Sequence, residues 1–296
     1  METRWLYHTS ETFPSLVEAS KGVCLIPMGC VEKHGLHLPL GTDCFEAEET
    51  AYRASQLETA CVFPTFTFGD KSLASPIAPE GISPPGTITL PVETEMLLLE
   101  QLCEQISRNG MKKILVVNGH GGNTHWVSTL QRKLYNRKHD FVLAVIGCAS
   151  SGSTKRLCEH LKEHGSGSVP YLTPEDEAYL LDFHATPKET GHACIGETAC
   201  VLGCHPETVH LERLGIETGL SNHKADYLKA AGIQIVDWGW LQNYPNSYNG
   251  HDPVGLNERI GKAAMWIQTL RLAKAIKVLK EDENILNWHH EMQKGW

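Results

Sequence analysis

Short apolar runs alternate with longer amphipathic segments along most of this chain. Apolar runs of strand length lie at 22–28, 61–68, 113–118, 141–147 and 232–236. Segments of helix length lie at 43–58, 93–109, 123–137 and 255–280. Because a parallel connection needs a crossover of roughly a dozen residues, this alternation predicts βαβ units around a largely parallel sheet. The expected fold class is α/β, with helices flanking the sheet.

The segment 93–109 shows the helical pattern most clearly. It places Met96, Leu99, Cys103 and Ile106 on one face, ends at Gly110 and leads into the run at 113–118. This pattern predicts a helix that covers the sheet.

Proline, glycine and serine mark three expected loops, at 76–91, 147–154 and 164–170. None of them requires a domain boundary. A chain of 296 residues is long for one domain, but a large α/β domain reaches this size. We therefore expect a single domain over 1–296.

Composition and charge narrow the classes of function. The net charge of −9 repels phosphate backbones, and no Lys/Arg stripe offsets it locally, so nucleic acid is not an expected partner. The N-terminal stretch lacks the features of a signal peptide, and no apolar run approaches about 18 residues. These features predict a cytoplasmic protein with no membrane span. The ten cysteines are scattered without a CxxC pair, which favours reduced thiols over disulfides.

The run at 22–28 leads into a glycine-bounded segment that is rich in potential metal ligands. Within twelve residues it holds Glu32, His34, His37 and Asp43. Mixed carboxylate and imidazole donors suit Zn, Mn or Fe. The alternative is a surface pair of Glu32 and His34, an Asp43 that caps the next helix and a His37 that only packs. This segment alone does not decide between the two.

A second motif follows the run at 113–118, where three glycines surround His120 in Asn118-Gly-His-Gly-Gly-Asn123. Glycines at such positions allow the backbone to approach a ligand closely. The alternative is a tight turn with Asn123 as a helix cap.

A third cluster lies at 189–199, preceded by Asp182 and His184. In it His192 and Glu197 stand five residues apart, with glycines before and between them. These two residues could supply a further ligand and a proton-transfer group. Alternatively, His192 is an ordinary polar residue with its hydrogen bonds satisfied.

Together these motifs resemble the creatininase (creatinine amidohydrolase) family. Its members carry Glu-x-His-Gly-x-His-Leu-Pro-Leu-x-Thr-Asp, which matches 32–43, followed by Asn-Gly-His-Gly-Gly-Asn, which matches 118–123. The segments 85–90, 191–199 and 249–253 also resemble family stretches, so ordered matches cover about 22–265. The resemblance implies a creatininase-like fold for the chain.

The resemblance also implies the roles of individual residues. Glu32, Asp43 and His120 would hold one divalent metal, and His34 and Asp43 would contribute to a second, with Asp43 bridging. Creatininase has a further ligand Glu where this chain has Gly122, and Glu197 could replace it or act as a base. His192 matches the histidine that shuttles a proton to the leaving group, whereas His37 lies outside the inner ligands. Departures from the family pattern at Cys194, Ile195 and Ala199 would alter the pocket.

The implied activity is metal-dependent hydrolysis of a small amide or cyclic amide, with one or two Zn, Mn or Fe ions as cofactor. Gly122, together with Gly121 where creatininase has an aromatic residue, argues against creatinine itself. Hydrolytic ring opening of a cyclic ketone is the alternative reaction, and a metal-binding module without catalysis is the alternative class. The resemblance and the aromatic tail from Trp288 to Trp296 predict a homo-oligomer.

Overall fold

A parallel sheet forms the centre of the computed structural model, which describes residues 1–69, 84–88, 90–148, 150–235 and 238–295. Its strands are β1 (Val23–Met28), β2 (Cys61–Val62), β3 (Lys113–Asn118) and β4 (Val142–Gly147), in the order β2-β1-β3-β4. Met28 pairs with Asn118, and Asn118 pairs with Gly147. The carboxyl ends of β1, β3 and β4 are therefore level at one edge. The predicted α/β class is confirmed.

Helices cover both faces of the sheet because successive strand residues point to opposite sides. In β1, Cys24 and Ile26 pack in one core cluster, against α1 (Phe13–Ala19), α3 (Val92–Arg108) and α4 (Asn123–Leu134). Val23 and Leu25 pack in another, against α2 (Thr42–Leu57) and α10 (Glu258–Glu281). Both faces are buried, as expected of a parallel sheet.

The remaining elements extend the molecule beyond the sheet. A third core cluster joins α10 to α5 (Ser153–His164), α6 (Pro174–Phe183) and α7 (Ile195–Cys204). A short antiparallel pair is formed by β5 (Thr190–His192) and β6 (Asn249–Gly250). The shorter helices are α8 (Asp226–Ala230), α9 (Trp238–Asn243) and α11 (Ile285–Met292).

Two of the predicted strands are wrong: one is much shorter than predicted, and the other is not a strand in the described residues. The run at 61–68 gives only the two residues of β2, and Phe66 adds one isolated bridge to Met28. Pro64 lies between them, and proline cannot donate a ladder hydrogen bond. Residues 232–235 form no strand; the chain turns at Gly232 (φ 75°), and Ile233 and Ile235 are about half exposed. Residue 236 lies outside the described residues, as does most of the expected loop at 76–91.

Two further expectations concern thiols and membranes. All ten cysteines lie in described parts of the chain, and none forms a disulfide. Within the described ranges, no helix combines the length and apolarity needed to cross a bilayer.

Candidate metal centre

Three loops converge where β1 and β3 end. The loop after β1 carries Glu32 and His34, which are both fully buried, so they are not the surface pair of the alternative interpretation. The turn after β3 carries His120, whose side chain is 11% exposed. His192, at the end of β5, and Glu197, in the first turn of α7, reach the same place. The five residues predicted as ligands, Glu32, His34, Asp43, His120 and Glu197, therefore meet in one cluster, together with the predicted proton-transfer residue His192.

Asp43 lies at the centre of this cluster. It is in the first turn of α2, whose N-cap is Gly41 and has no side-chain cap, so Asp43 does not play the alternative capping role. Its Oδ1 is 3.0 Å from His34 Nε2, and its Oδ2 is 3.0 Å from His120 Nδ1. One carboxylate thus joins the two sequence motifs, as a bridging ligand would.

Glycines allow the strand ends to approach α2 this closely. A Cβ atom on Gly29 would lie 2.5 Å from the Cys44 nitrogen, and one on Gly119 would lie 2.4 Å from the Asp43 carbonyl oxygen. Both distances are too short for any larger residue without backbone movement. A Cβ on Gly121 would meet nothing within 4 Å. The close approach that the glycine-rich motif permits is therefore to helix α2.

One half of the cluster consists of Glu32, Asp43 and His120. Glu32 Oε1 lies 2.9 Å from His120 Nδ1, which is itself 3.0 Å from Asp43 Oδ2. Ligand atoms at about 2.1 Å from a tetrahedral ion are about 3.4 Å apart, so the atoms of this cluster would move apart by about 0.4–0.5 Å on coordinating an ion. The Cys30 thiol belongs to the same group, whose ligand atoms all lie within 4.8 Å of one another.

The other half consists of His34, Asp43 and Glu197. His34 Nε2 lies 4.0 Å from Glu197 Oε2 and contacts Asp43 Oδ1, whereas His120 contacts Asp43 Oδ2. Glu197 Oε2 also accepts a hydrogen bond from the Ala193 amide at 2.5 Å, which fixes the carboxylate against the start of α7. Glu197 is 7% exposed, so its carboxylate is buried in the cluster.

Backbone carbonyls orient the two histidines that stack on each other. His34 donates from Nδ1 to the Glu32 carbonyl at 3.2 Å, which leaves Nε2 facing Asp43. His192 donates from Nε2 to the Lys33 carbonyl at 2.7 Å, which leaves Nδ1 facing Glu32 Oε1 at 3.8 Å. The two rings are stacked with centroids 4.0 Å apart, and Trp240 meets His192 edge-on. Such hydrogen bonds select the ring nitrogen that can bind a metal or carry a proton.

His37 lies outside the cluster and braces the turn before α7. Its Nε2 is 3.1 Å from both the Ala193 carbonyl and the Thr198 hydroxyl, and burial lowers the pKa of His37 to about 4. Ala193 has a left-handed backbone (φ 56°), which is uncommon for a residue with a side chain. The contacts of His37 and Glu197 with Ala193 hold this conformation. It remains a prediction that His37 does not bind a metal directly.

The electrostatics of the cluster favour a bound cation. Burial opposes charge on His34, but Asp43 beside it raises its pKa to about 9, and Glu32 and Asp43 raise the pKa of His120 in the same way. Burial raises the pKa of Glu197 to about 8. Protons therefore balance the buried carboxylates when no ion is bound, and a divalent cation would replace them.

A cavity of about 540 Å³ lies against the loop that carries Glu32 and His34, although none of the cluster's own side chains lines it. Its wall includes Lys33, Gly35 and Leu36, which belong to the same loop as Glu32 and His34, together with Leu241 and Pro245 from the region of α9. Sites for small molecules usually have volumes of about 300–1,000 Å³. The cavity is therefore of a suitable size for a small substrate.

The sequence of this chain is similar to those of known proteins. The sequence profile of the creatininase family, described as creatinine amidohydrolase, matches residues 7–276. The chain is 22% identical over 211 residues to the creatinine amidohydrolase of Pseudomonas putida, covering 70% of this chain and 73% of that protein. It is 32% identical over 131 residues to the mycofactocin precursor peptide peptidase of Mycolicibacterium smegmatis, covering 40% of this chain and 50% of that protein.

Solved structures support the fold. A crystal structure of creatininase superposes with a TM-score of 0.68 at 18% identity, covering 95% of this chain and 98% of the other. At this identity the likeness concerns the fold alone. Among the similar structures of creatininase are a Zn-Zn form and an Mn form.

Proposed function

Because the chain belongs to the creatininase (creatinine amidohydrolase) family of hydrolases, we propose that it uses a bound divalent metal to hydrolyse a small amide or cyclic amide. The observation that carries the proposal is Asp43, whose two oxygens contact His34 and His120 at 3.0 Å each inside a buried cluster. A noncatalytic structural zinc site would more often be rich in cysteine.

Each half of the cluster would hold one ion. Glu32, His120 and Asp43 Oδ2 fit the first, and His34, Glu197 and Asp43 Oδ1 fit the second. A bound ion of this kind lowers the pKa of a coordinated water toward about 7 and polarises a carbonyl oxygen. The mixed oxygen and nitrogen donors suit Zn, Mn or Fe.

His192 would move the proton that hydrolysis requires. The attacking water must lose a proton, and the leaving nitrogen must gain one. The Lys33 carbonyl occupies His192 Nε2, so Nδ1 faces the cluster and can accept a proton there before delivering it to the leaving group. The stacked His34 ring and the edge of Trp240 keep the imidazole in this orientation.

The names of two relatives favour an amide over a ketone. One is named as an amidohydrolase and the other as a peptidase, and both names describe cleavage of a carbon-nitrogen amide bond. Opening of a cyclic ketone remains the second candidate because it uses the same attack on a carbonyl.

A substrate panel tests the proposal. The protein is loaded with Zn²⁺, Mn²⁺ or Fe²⁺ and incubated with formamides, cyclic amides, short peptides, creatinine and cyclic ketones, and products are followed by mass spectrometry. We expect turnover of a noncreatinine amide, which is lost after chelation and regained on adding metal. Turnover of ketones alone would favour the second candidate, and activity that survives complete metal removal would contradict both.

We also propose that the chain forms a homo-oligomer. Helix α11 exposes Trp288 (57%) and Met292 (64%), and large apolar side chains of this kind are often covered by a partner. Light scattering at micromolar concentration should give a multiple of the mass of one chain. Trp288→Ser should shift the distribution toward monomer, whereas the mass of a single chain for the unmodified protein would contradict the proposal.

A further inference from the structure

Glu46 is a buried carboxylate that lies beside the cluster and is neither a ligand nor a proton carrier in the proposed hydrolysis. It follows Asp43 by three residues on α2, so the two side chains share one face of the helix. A carboxylate oxygen of Glu46 lies within 4.8 Å of those of Asp43 and Glu197, and the three residues are all buried. Asp43 is thus shared between this group and the group of Glu32 and His120.

The surroundings of Glu46 offer little to balance a negative charge. The side chain is fully buried, and among the described residues neither of its carboxylate oxygens makes a hydrogen bond or an ion pair. The Ser150 hydroxyl lies near enough to lower its pKa, but burial and the carboxylates of Glu197 and Asp43 raise that pKa well above the usual range. Buried carboxylates are usually paired or bound to a metal.

We propose that Glu46 is a metal ligand, and that Asp43, Glu46 and Glu197 together bind a hard divalent cation such as Mn²⁺. The inference rests on the proposed metal-dependent function and extends it to this residue. Gly122 offers no side chain to the cluster, so Glu46 would supply a carboxylate from helix α2 instead.

Distance and donor type both support this assignment. In an octahedral site with bonds of about 2.1 Å, neighbouring ligand atoms are about 3.0 Å apart and opposite ones about 4.2 Å apart. Three oxygens within 4.8 Å of one another can therefore surround one ion after a small contraction. With Glu46, the second half offers three carboxylates beside the imidazole of His34, which favours Mn²⁺ more than the first half does, where His120 and Cys30 offer softer nitrogen and sulfur donors that favour Zn²⁺. The two halves would thus differ in metal preference.

The test compares Glu46→Gln, which keeps the shape of the side chain and removes its charge, with the unmodified protein. Each is freed of metal, loaded with Zn²⁺ and Mn²⁺, and analysed by elemental mass spectrometry and by Mn²⁺ titration with electron paramagnetic resonance. We expect two ions per unmodified chain and one in the variant, with Mn²⁺ affinity lowered at least about 100-fold, above the 10–100-fold typical for residues that only support a ligand.

Glu177→Gln serves as the matched control. Glu177 is also buried, but it accepts hydrogen bonds from Ser166 and from the Gly167 amide, away from the cluster. This variant should keep both ions. If Glu46→Gln fails to fold by circular dichroism, Glu46→Asp retains the charge on a shorter side chain and should weaken Mn²⁺ binding without abolishing Zn²⁺ binding.

The possible results separate this inference from the function on which it rests. Two ions bound with unchanged affinity in both Glu46 variants would overturn the inference alone. One ion in the unmodified protein would also overturn it. No ion in the unmodified protein, under any loading condition, would overturn the proposed function as well.

Discussion

Asp43→Ala is expected to remove nearly all bound metal and to reduce hydrolysis to the background rate. Asp43 is the residue whose two oxygens contact both halves of the cluster, at 3.0 Å from His34 and 3.0 Å from His120. Its loss also leaves His34 and His120 without the carboxylate that holds them. We expect metal affinity to fall by more than the roughly 10–100-fold that follows loss of an outer partner of a ligand.

His120→Ala should lower the metal content less than Asp43→Ala does. His120 contacts Glu32 and Asp43 Oδ2 and is not in the group that Glu197 forms with Asp43 and Glu46, so only the first ion should be lost. Elemental analysis of both variants after equal loading measures the difference. Asp140→Ala, which changes an exposed carboxylate bonded to Ser107, is the control and should keep the full metal content. Equal metal content in Asp43→Ala and the unmodified protein would refute the bridging role.

His192→Ala should lower turnover by about 10²–10⁴-fold while both ions stay bound, because a proton-transfer group contributes that much to a rate. The Nδ1 atom of His192 lies 3.8 Å from Glu32 Oε1, farther than the 2.9 Å of His120. Added imidazole should restore part of the rate, and the pH profile should lose one ionisation. His205→Ala, which removes a histidine that packs on Phe45, should leave the rate unchanged.

The same experiment also tests a competing role for His192. Glu32, His34 and His192 form a group whose ligand atoms lie within 4.8 Å of one another, so His192 could itself bind an ion. A fall in metal content that accompanies the fall in turnover would establish that role and contradict proton transfer. An unchanged rate would contradict both.

The sequence predicted the centre of the fold because apolar runs report burial directly. The runs that became β1, β3 and β4 are buried on one or both faces, and the two ligand motifs follow β1 and β3. Adjacent parallel strands end at the same edge of a sheet, so the meeting of Glu32 and His120 follows from topology. The strand predicted at 232–236 is wrong because Ile233 and Ile235 are about half exposed in a segment after α8. Apolar residues that are not buried do not predict a strand.

The parts of the site that the sequence did not reveal come from long-range packing. Glu46 stands in a helix beside Glu48 and Glu49, where an acidic run ordinarily indicates a solvated face. Only the packing of α7 and α10 against α2 makes Glu46 an interior residue. For Cys30, one of ten scattered cysteines, the sequence pattern predicts only a reduced thiol. Its position two residues before Glu32, at the end of β1, is the signal that could have identified it.

The distribution of the cluster along the chain has a consequence for how the protein acquires its metal during synthesis. Glu32 and Asp43 leave the ribosome long before His120, and Glu197 emerges much later still. No short segment carries a complete ligand set of the kind that lets a zinc finger fold around its ion. In the proposed assignment, the ligand set is therefore complete only after the sheet and α7 have assembled.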